Sequence, residues 1–132
     1  SNSIFSFLTN LKYLYLYNNQ IKIIRDLAFS NLNYIEVLDL SFNKIEEIKY
    51  SFFNNMLSLK TLILNSNRII KIFPGSFEKL INLEMLVLSS NSINNLENKI
   101  FAKVKHLIYF KLEHNEIQII VPGYFADISI EN

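Results

Sequence analysis

A length of 132 residues sets the scale at one domain, and 50% hydrophobic against 19% charged residues excludes a disordered segment. Thirteen basic against twelve acidic residues leave a formal net charge of +1, so no global field draws the chain to phosphate backbones or anionic lipid; neither nucleic acid nor direct membrane insertion is expected. The absence of cysteine removes disulfides, thiolate zinc sites and thiol nucleophiles together. No apolar run reaches the roughly 18 residues of a membrane span. The opening Ser1-Asn2-Ser3-Ile4-Phe5 has neither the basic region nor the apolar core of a signal peptide.

From the start, Phe5 and Leu8 match the last two apolar positions of a unit whose first half is missing, so residues 1–10 read as a partial repeat. Five full units follow at 11–34, 35–58, 59–82, 83–106 and 107–130, each 24 residues long. The third shows the pattern: Leu59, Leu62, Leu64, Asn67, Ile69, Ile72, Phe77, Leu80. An Asn recurs at Asn19, Asn43, Asn67, Asn91 and Asn115, and a Phe at Phe5, Phe29, Phe53, Phe77, Phe101 and Phe125. Self-similarity at a fixed period of this length is the mark of a solenoid. In the last unit the aliphatic expected at the next start falls on Glu131, or on Ile130 after a shift of one residue. We therefore expect a single domain over 1–132 that is a fragment of a longer protein.

Within each unit, apolar residues two apart, such as Leu62 and Leu64, predict a strand, which places strands near 13–17, 37–41, 61–65, 85–89 and 109–113. One strand per unit in a constant direction makes a short parallel sheet. The rest of each unit, interrupted by Pro74-Gly75 and Pro122-Gly123, predicts turns, extended pieces and at most single helical turns. Where the strand leaves the sheet its backbone groups lose strand partners, and the Asn amide, both donor and acceptor, is expected to bond the backbone of its own turn and the next as a ladder. The recurrent Phe is expected to stack as a spine on the outer side of the core.

The spacing LxxLxLxxNxIxxIxxxxFxxL resembles the leucine-rich repeat, in the 24-residue length class of animal extracellular proteins. The resemblance implies an α/β solenoid, a right-handed horseshoe with its short parallel sheet on the concave face and a mostly irregular outer side. It also implies kinship with Toll-like receptor ectodomains and with matrix or adhesion proteins. Such proteins bind other proteins on the concave face, outside the cell or at its surface, and usually carry cysteine-rich caps.

Position alone assigns the outward columns of the sheet. The first holds Tyr13, Val37, Thr61, Met85 and Tyr109; the second Tyr15, Asp39, Ile63, Val87 and Lys111. A third, Tyr17, Ser41, Asn65, Ser89 and Glu113, and a fourth, Asn18, Phe42, Ser66, Ser90 and His114, are polar apart from Tyr17 and Phe42. β-Branched and aromatic residues suit any sheet, yet a contiguous exposed apolar field also marks an interface. Tyr13, Tyr15, Tyr17, Val37, Phe42, Ile63, Met85, Val87 and Tyr109 are thus the candidate partner-binding residues, and another protein is the expected partner. Catalysis, a cofactor and a metal are not expected: His106 and His114 have no converging third group, and two glycines leave no phosphate loop. Two other roles fit the same residues, a structural or adhesion protein of the matrix and a regulatory arm of an intracellular protein.

Overall fold

The structure, a computed structural model, describes residues 4–5, 7–97, 99–120, 122–126 and 128. The pattern break at Ile130 and Glu131 lies outside them. Strands β1 (Tyr13–Tyr15), β2 (Val37–Asp39), β4 (Thr61–Ile63), β6 (Met85–Val87) and β7 (Tyr109–Lys111) form one five-stranded parallel sheet in that spatial order. The register is the sequence period itself: Leu14, Leu38, Leu62, Leu86 and Phe110 are aligned across neighbouring strands. The strands begin where the alternation places them but are three residues long rather than five. Pairing nevertheless continues past them, because Leu16 N–H donates to Asp39 C=O at 2.7 Å and Asn18 N–H to Ser41 C=O at 3.0 Å. The chain then leaves the sheet through a residue with left-handed backbone in every turn: Asn18, Phe42, Ser66, Ser90 and His114 all have φ between 54° and 57°.

On the far side, β3 (Glu47–Ile48) and β5 (Lys71–Ile72) make a second, two-stranded parallel sheet, and Tyr50–Phe52 forms one 3-10 turn. Elsewhere the same position is a left-handed turn, at Leu27, Gly75, Lys99 and Gly123. Glycine is at ease there and the other two residues are not.

Between the two walls lies the core. Leu38, Leu62, Leu86, Ile48, Phe77 and Leu83 are fully enclosed, while Leu14, Leu16, Phe110 and Leu112, on the terminal strands, are only partly covered. Burial thus follows stacking, since a single turn cannot enclose its own apolar residues and needs a neighbour on each side. Stacked rings run from Phe5 to Phe29 at 5.7 Å and then from Phe53 through Phe77 and Phe101 to Phe125 at 5.9–6.3 Å. Among the described residues no ring pair joins Phe29 to Phe53. There the 3-10 turn brings in Phe52, buried and edge-on to Phe53 at 6.2 Å.

The asparagine amides tie turn to turn. Asn67 Nδ2 donates to Leu64 C=O of its own turn at 3.1 Å and to Leu40 C=O of the preceding turn at 2.9 Å, while its Oδ1 accepts the Ile45 N–H at 3.0 Å. Asn43, Asn91 and Asn115 repeat the pattern on Leu16 and Ile21, Leu64 and Ile69, and Leu88 and Ile93. The expectation of a bond to the next turn is corrected: the amide reaches back, because its Cα follows the strand and faces the carbonyl that the preceding turn leaves open. Among the described residues Asn19 bonds only its own turn, at Leu16 and Tyr17, and it is exposed.

Two measurements check this account. Urea unfolding of Asn91→Ala should show a loss of about 1–3 kcal/mol, because buried backbone groups lose their partner, whereas Asn65→Ala on the open face should stay within about 0.5 kcal/mol. Equal losses would remove the ladder from its central place. Phe77→Ala, a cavity at a fully enclosed position, should cost about 3–5 kcal/mol, and Tyr109→Ala, on the open face, less than about 1 kcal/mol.

Candidate functional site

The open face of the five-stranded sheet is built by strand alternation. Leu14, Leu38, Leu62 and Leu86 point into the core, so their neighbours on either side point out. Register brings the first column, Tyr13, Val37, Thr61, Met85 and Tyr109, into contiguous rows with the second, Tyr15, Asp39, Ile63, Val87 and Lys111. Adjacent strands lie about 4.8 Å apart, so these side chains merge into one surface. Val37, Ile63, Met85 and Val87 are half-buried in it. Tyr13, Tyr15, Tyr17 and Phe42 stand clear at one end, with 53–58% of each residue exposed, and Tyr109 stands at the other.

The third column departs from expectation. Tyr17 and Glu113 are exposed and Asn65 is half-buried, but Ser41 and Ser89 are buried, at 4% and 9% exposure. A serine side chain is too short to rise between larger neighbours, and the Ser41 hydroxyl also turns toward Asp39, donating to Oδ1 at 2.6 Å. Phe42 is unusual for its backbone. At φ 54° it holds the left-handed conformation of its column, which asparagine tolerates and a bulky aromatic residue does not. Its ring is exposed, so no core packing offsets that strain. Sequence reasoning found Phe42 by column but not the strain, because Asn18, Ser66, Ser90 and His114 are polar residues that suit many backbone conformations and no glycine marks the position.

Charge on the face is sparse. Lys111 lies over the Tyr109 ring at 5.4 Å and 3.8 Å from Glu113. It is held above its ordinary pKa by Tyr109 first and then by Glu113. On the flank, Lys12 pairs with Glu36 at 3.1 Å and Lys22 with Glu46 at 3.3 Å. Such exposed pairs add little stability. At the N-terminal end of the stack, Ile4, Phe5, Leu16, Ile21, Ile24 and Phe29 help line an apolar hollow of about 780 Å³. His106 and His114 do not come together with other candidate ligands: among the described residues no group of three His, Asp or Glu could hold a metal ion. Nor is any helix among them long and apolar enough to cross a membrane.

A sequence model of the leucine-rich repeat matches residues 1–45, 33–93 and 81–131, which together span nearly the whole chain. The chain belongs to the leucine-rich-repeat family. Its solenoid is similar to that in a crystal structure of a TLR13 complex with single-stranded RNA, with 33% identity and TM-score 0.83 over 89% of this chain. It is similar also to Toll in the Drosophila Toll–Spatzle complex, with 25% identity and TM-score 0.84 over 90%. A leucine-rich-repeat protein of Leptospira interrogans matches at 30% identity and TM-score 0.80 over 92%. This chain spans only 16%, 17% and 30% of those three chains. No curated protein matches it in sequence. In leucine-rich-repeat terms Tyr13, Tyr15, Tyr17, Phe42 and Tyr109 stand on the concave side of the solenoid, and the 3-10 turn and second sheet on the outer side.

Strain at Phe42 leads to a measurable expectation. Phe42→Asn should raise stability by about 0.5–1 kcal/mol in urea unfolding, since asparagine relieves the left-handed position and little burial is lost. A loss of more than about 1 kcal/mol would mean that the ring is a packing residue.

Proposed function

We propose that this leucine-rich-repeat chain is the partner-recognition part of a longer receptor-like or secreted protein, and that it binds another protein through the concave sheet face. The observation that carries the reading is the cluster of Tyr13, Tyr15, Tyr17 and Phe42, four large aromatic residues more than half exposed at one end of a sheet surface whose first two columns are largely apolar. Exposed aromatic clusters of this kind supply binding hot spots, and a soluble surface without a partner rarely keeps a large apolar patch. Val37, Ile63, Met85, Val87 and Tyr109 extend the surface across the stack. The strain at Phe42 supports the same reading, because strained backbone clusters at ligand-binding positions.

Relatives supply two kinds of ligand, the protein Spatzle for Toll and single-stranded RNA for TLR13. For this chain a protein is favoured: the net charge is +1 and the face carries no cluster of cations for phosphate. Residues 1–132, the partial unit 1–10 and the five units that follow it, are taken as one domain. An extracellular or cell-surface place for it rests on the length class of the repeat.

The test is a benzoylphenylalanine crosslinker placed at position 17, 42 or 63, with positions 97 and 99 as outer-side controls, followed by affinity measurement on the captured partner. Tyr17→Ala and Phe42→Asn should each weaken binding by about 2 kcal/mol or more. Glu97→Gln and Lys99→Asn should stay within about 0.5 kcal/mol. Crosslinks confined to 97 and 99, or binding lost only on the outer side, would overturn the concave-face reading; a captured RNA would replace the protein ligand.

A further inference from the structure

One charge on the concave face has no opposite charge near it. Lys111 is matched by Glu113, and Lys12 on the flank by Glu36. Asp39, on β2, forms no ion pair among the described residues, and Lys111 stands three strands away in the same column, roughly 14 Å. Asp39 is held in one orientation: its Oδ1 accepts the Ser41 N–H at 2.9 Å and the Ser41 hydroxyl at 2.6 Å. Its Oδ2 has no hydrogen-bond partner among the described residues.

The walls around this carboxylate come from the register. Tyr15 is its direct neighbour on β1 and Ile63 on β4. Tyr13 stands opposite Val37, one step up the same face, and the bond from Asn18 N–H to Ser41 C=O sets Tyr17 beside Ser41, one step down. Three exposed tyrosines therefore stand on the β1 side of Asp39 and Ile63 on the β4 side, with the buried Ser41 next along the same column of the face. A half-buried carboxylate beside aromatic neighbours is a poor site for an apolar side chain, which would bury the charge unpaired. It suits a cation that pairs with the free oxygen and lies against the rings. A guanidinium fits better than an ammonium, because it is planar, stacks on aromatic faces and is more weakly hydrated.

We propose that Asp39, Tyr15 and Tyr17 form a receiving site for an arginine side chain of the partner, so that the protein bound on this face presents an arginine to β1 and β2 and an apolar surface to Ile63 and Val87. The proposal rests on the concave-face reading above and goes further by naming the chemistry of the contact. The alternative role for Asp39 is local, as the acceptor that shapes the turn at Ser41. Asp39→Asn separates the two, since the amide oxygen still accepts from Ser41 while the charge is gone.

The experiment is an amide-resolved NMR titration of the isotope-labelled 132-residue chain with N-acetyl-arginine amide, and in parallel with the lysine and leucine amides. Arginine amide should give saturable shifts at Tyr15, Asp39 and Ser41, about threefold or more tighter than lysine amide, and should weaken about fivefold or more in Asp39→Asn. Should that variant lose its dispersed spectrum, Tyr17→Leu decides, with arginine binding weakened and leucine binding retained. Arginine shifts that survive Asp39→Asn or Tyr17→Leu undiminished, or that never saturate, would overturn the arginine site. If leucine amide titrates the same residues as tightly as arginine amide, the face stands as a binding surface and the arginine site falls. Shifts confined to the outer side would remove both.

Discussion

Everything in this solenoid depends on one amide placed where the chain leaves the sheet. At that corner the backbone can no longer complete a strand ladder, and an unsatisfied buried N–H or C=O costs about 1–3 kcal/mol. Asn43, Asn67, Asn91 and Asn115 each donate to a leucine carbonyl in two successive turns and accept one N–H from the turn before. No fully buried side-chain nitrogen or oxygen among the described residues is left without a partner. The 24-residue period follows, because adding or removing one residue would carry the amide off the carbonyl and N–H it serves and would turn the strand's apolar side chains to the wrong face.

Much of this was legible in the chain because the relevant signals are periodic. Leucine alternation placed all five strands, the recurrent Phe marked the outer wall, and the outward columns could be read by counting. What stayed hidden depends on contacts between units. Glu47-Ile48 and Lys71-Ile72 share with Ile23-Ile24 the inward isoleucine, yet among the described residues only the former pairs zip into a second sheet, with Glu47 directly opposite Lys71. Ser51 gives no sign that its turn becomes 3-10 while Leu27 and Lys99, without the ease of glycine, take the left-handed form. The sinking of Ser41 and Ser89 reflects the bulk of residues 24 positions away, which a reading along one strand does not register. For the candidate site the same limit holds: columns named Tyr15, Tyr17 and Phe42, but the isolation of Asp39 is a property of what fails to stand near it in space.

Phe42 and Asp39 show how a repetitive scaffold acquires individuality. Core positions are interchangeable from turn to turn because each meets the same neighbours, so their variation is narrow. Concave positions answer to no such constraint, and a residue as ill-suited to a left-handed backbone as phenylalanine can be carried there by a frame that its neighbours already enforce. Strain is tolerated in proportion to the order around it.

The serines of the third column have a consequence for how any rigid molecule would sit on this surface. Tyr17, Asn65 and Glu113 are ridges, and Ser41 and Ser89 are furrows between them. Over its first four turns, before Ile108, the flanking column alternates as well, Lys12, Glu36, Lys60, Glu84, in sign rather than in height. In these two columns the pattern therefore repeats every second turn, roughly 10 Å, although the chain repeats every turn. A molecule displaced by a single turn would meet ridge against ridge and like charge against like. The doubled period acts as a vernier, leaving a scaffold of near-identical units fewer seatings than its backbone alone would allow.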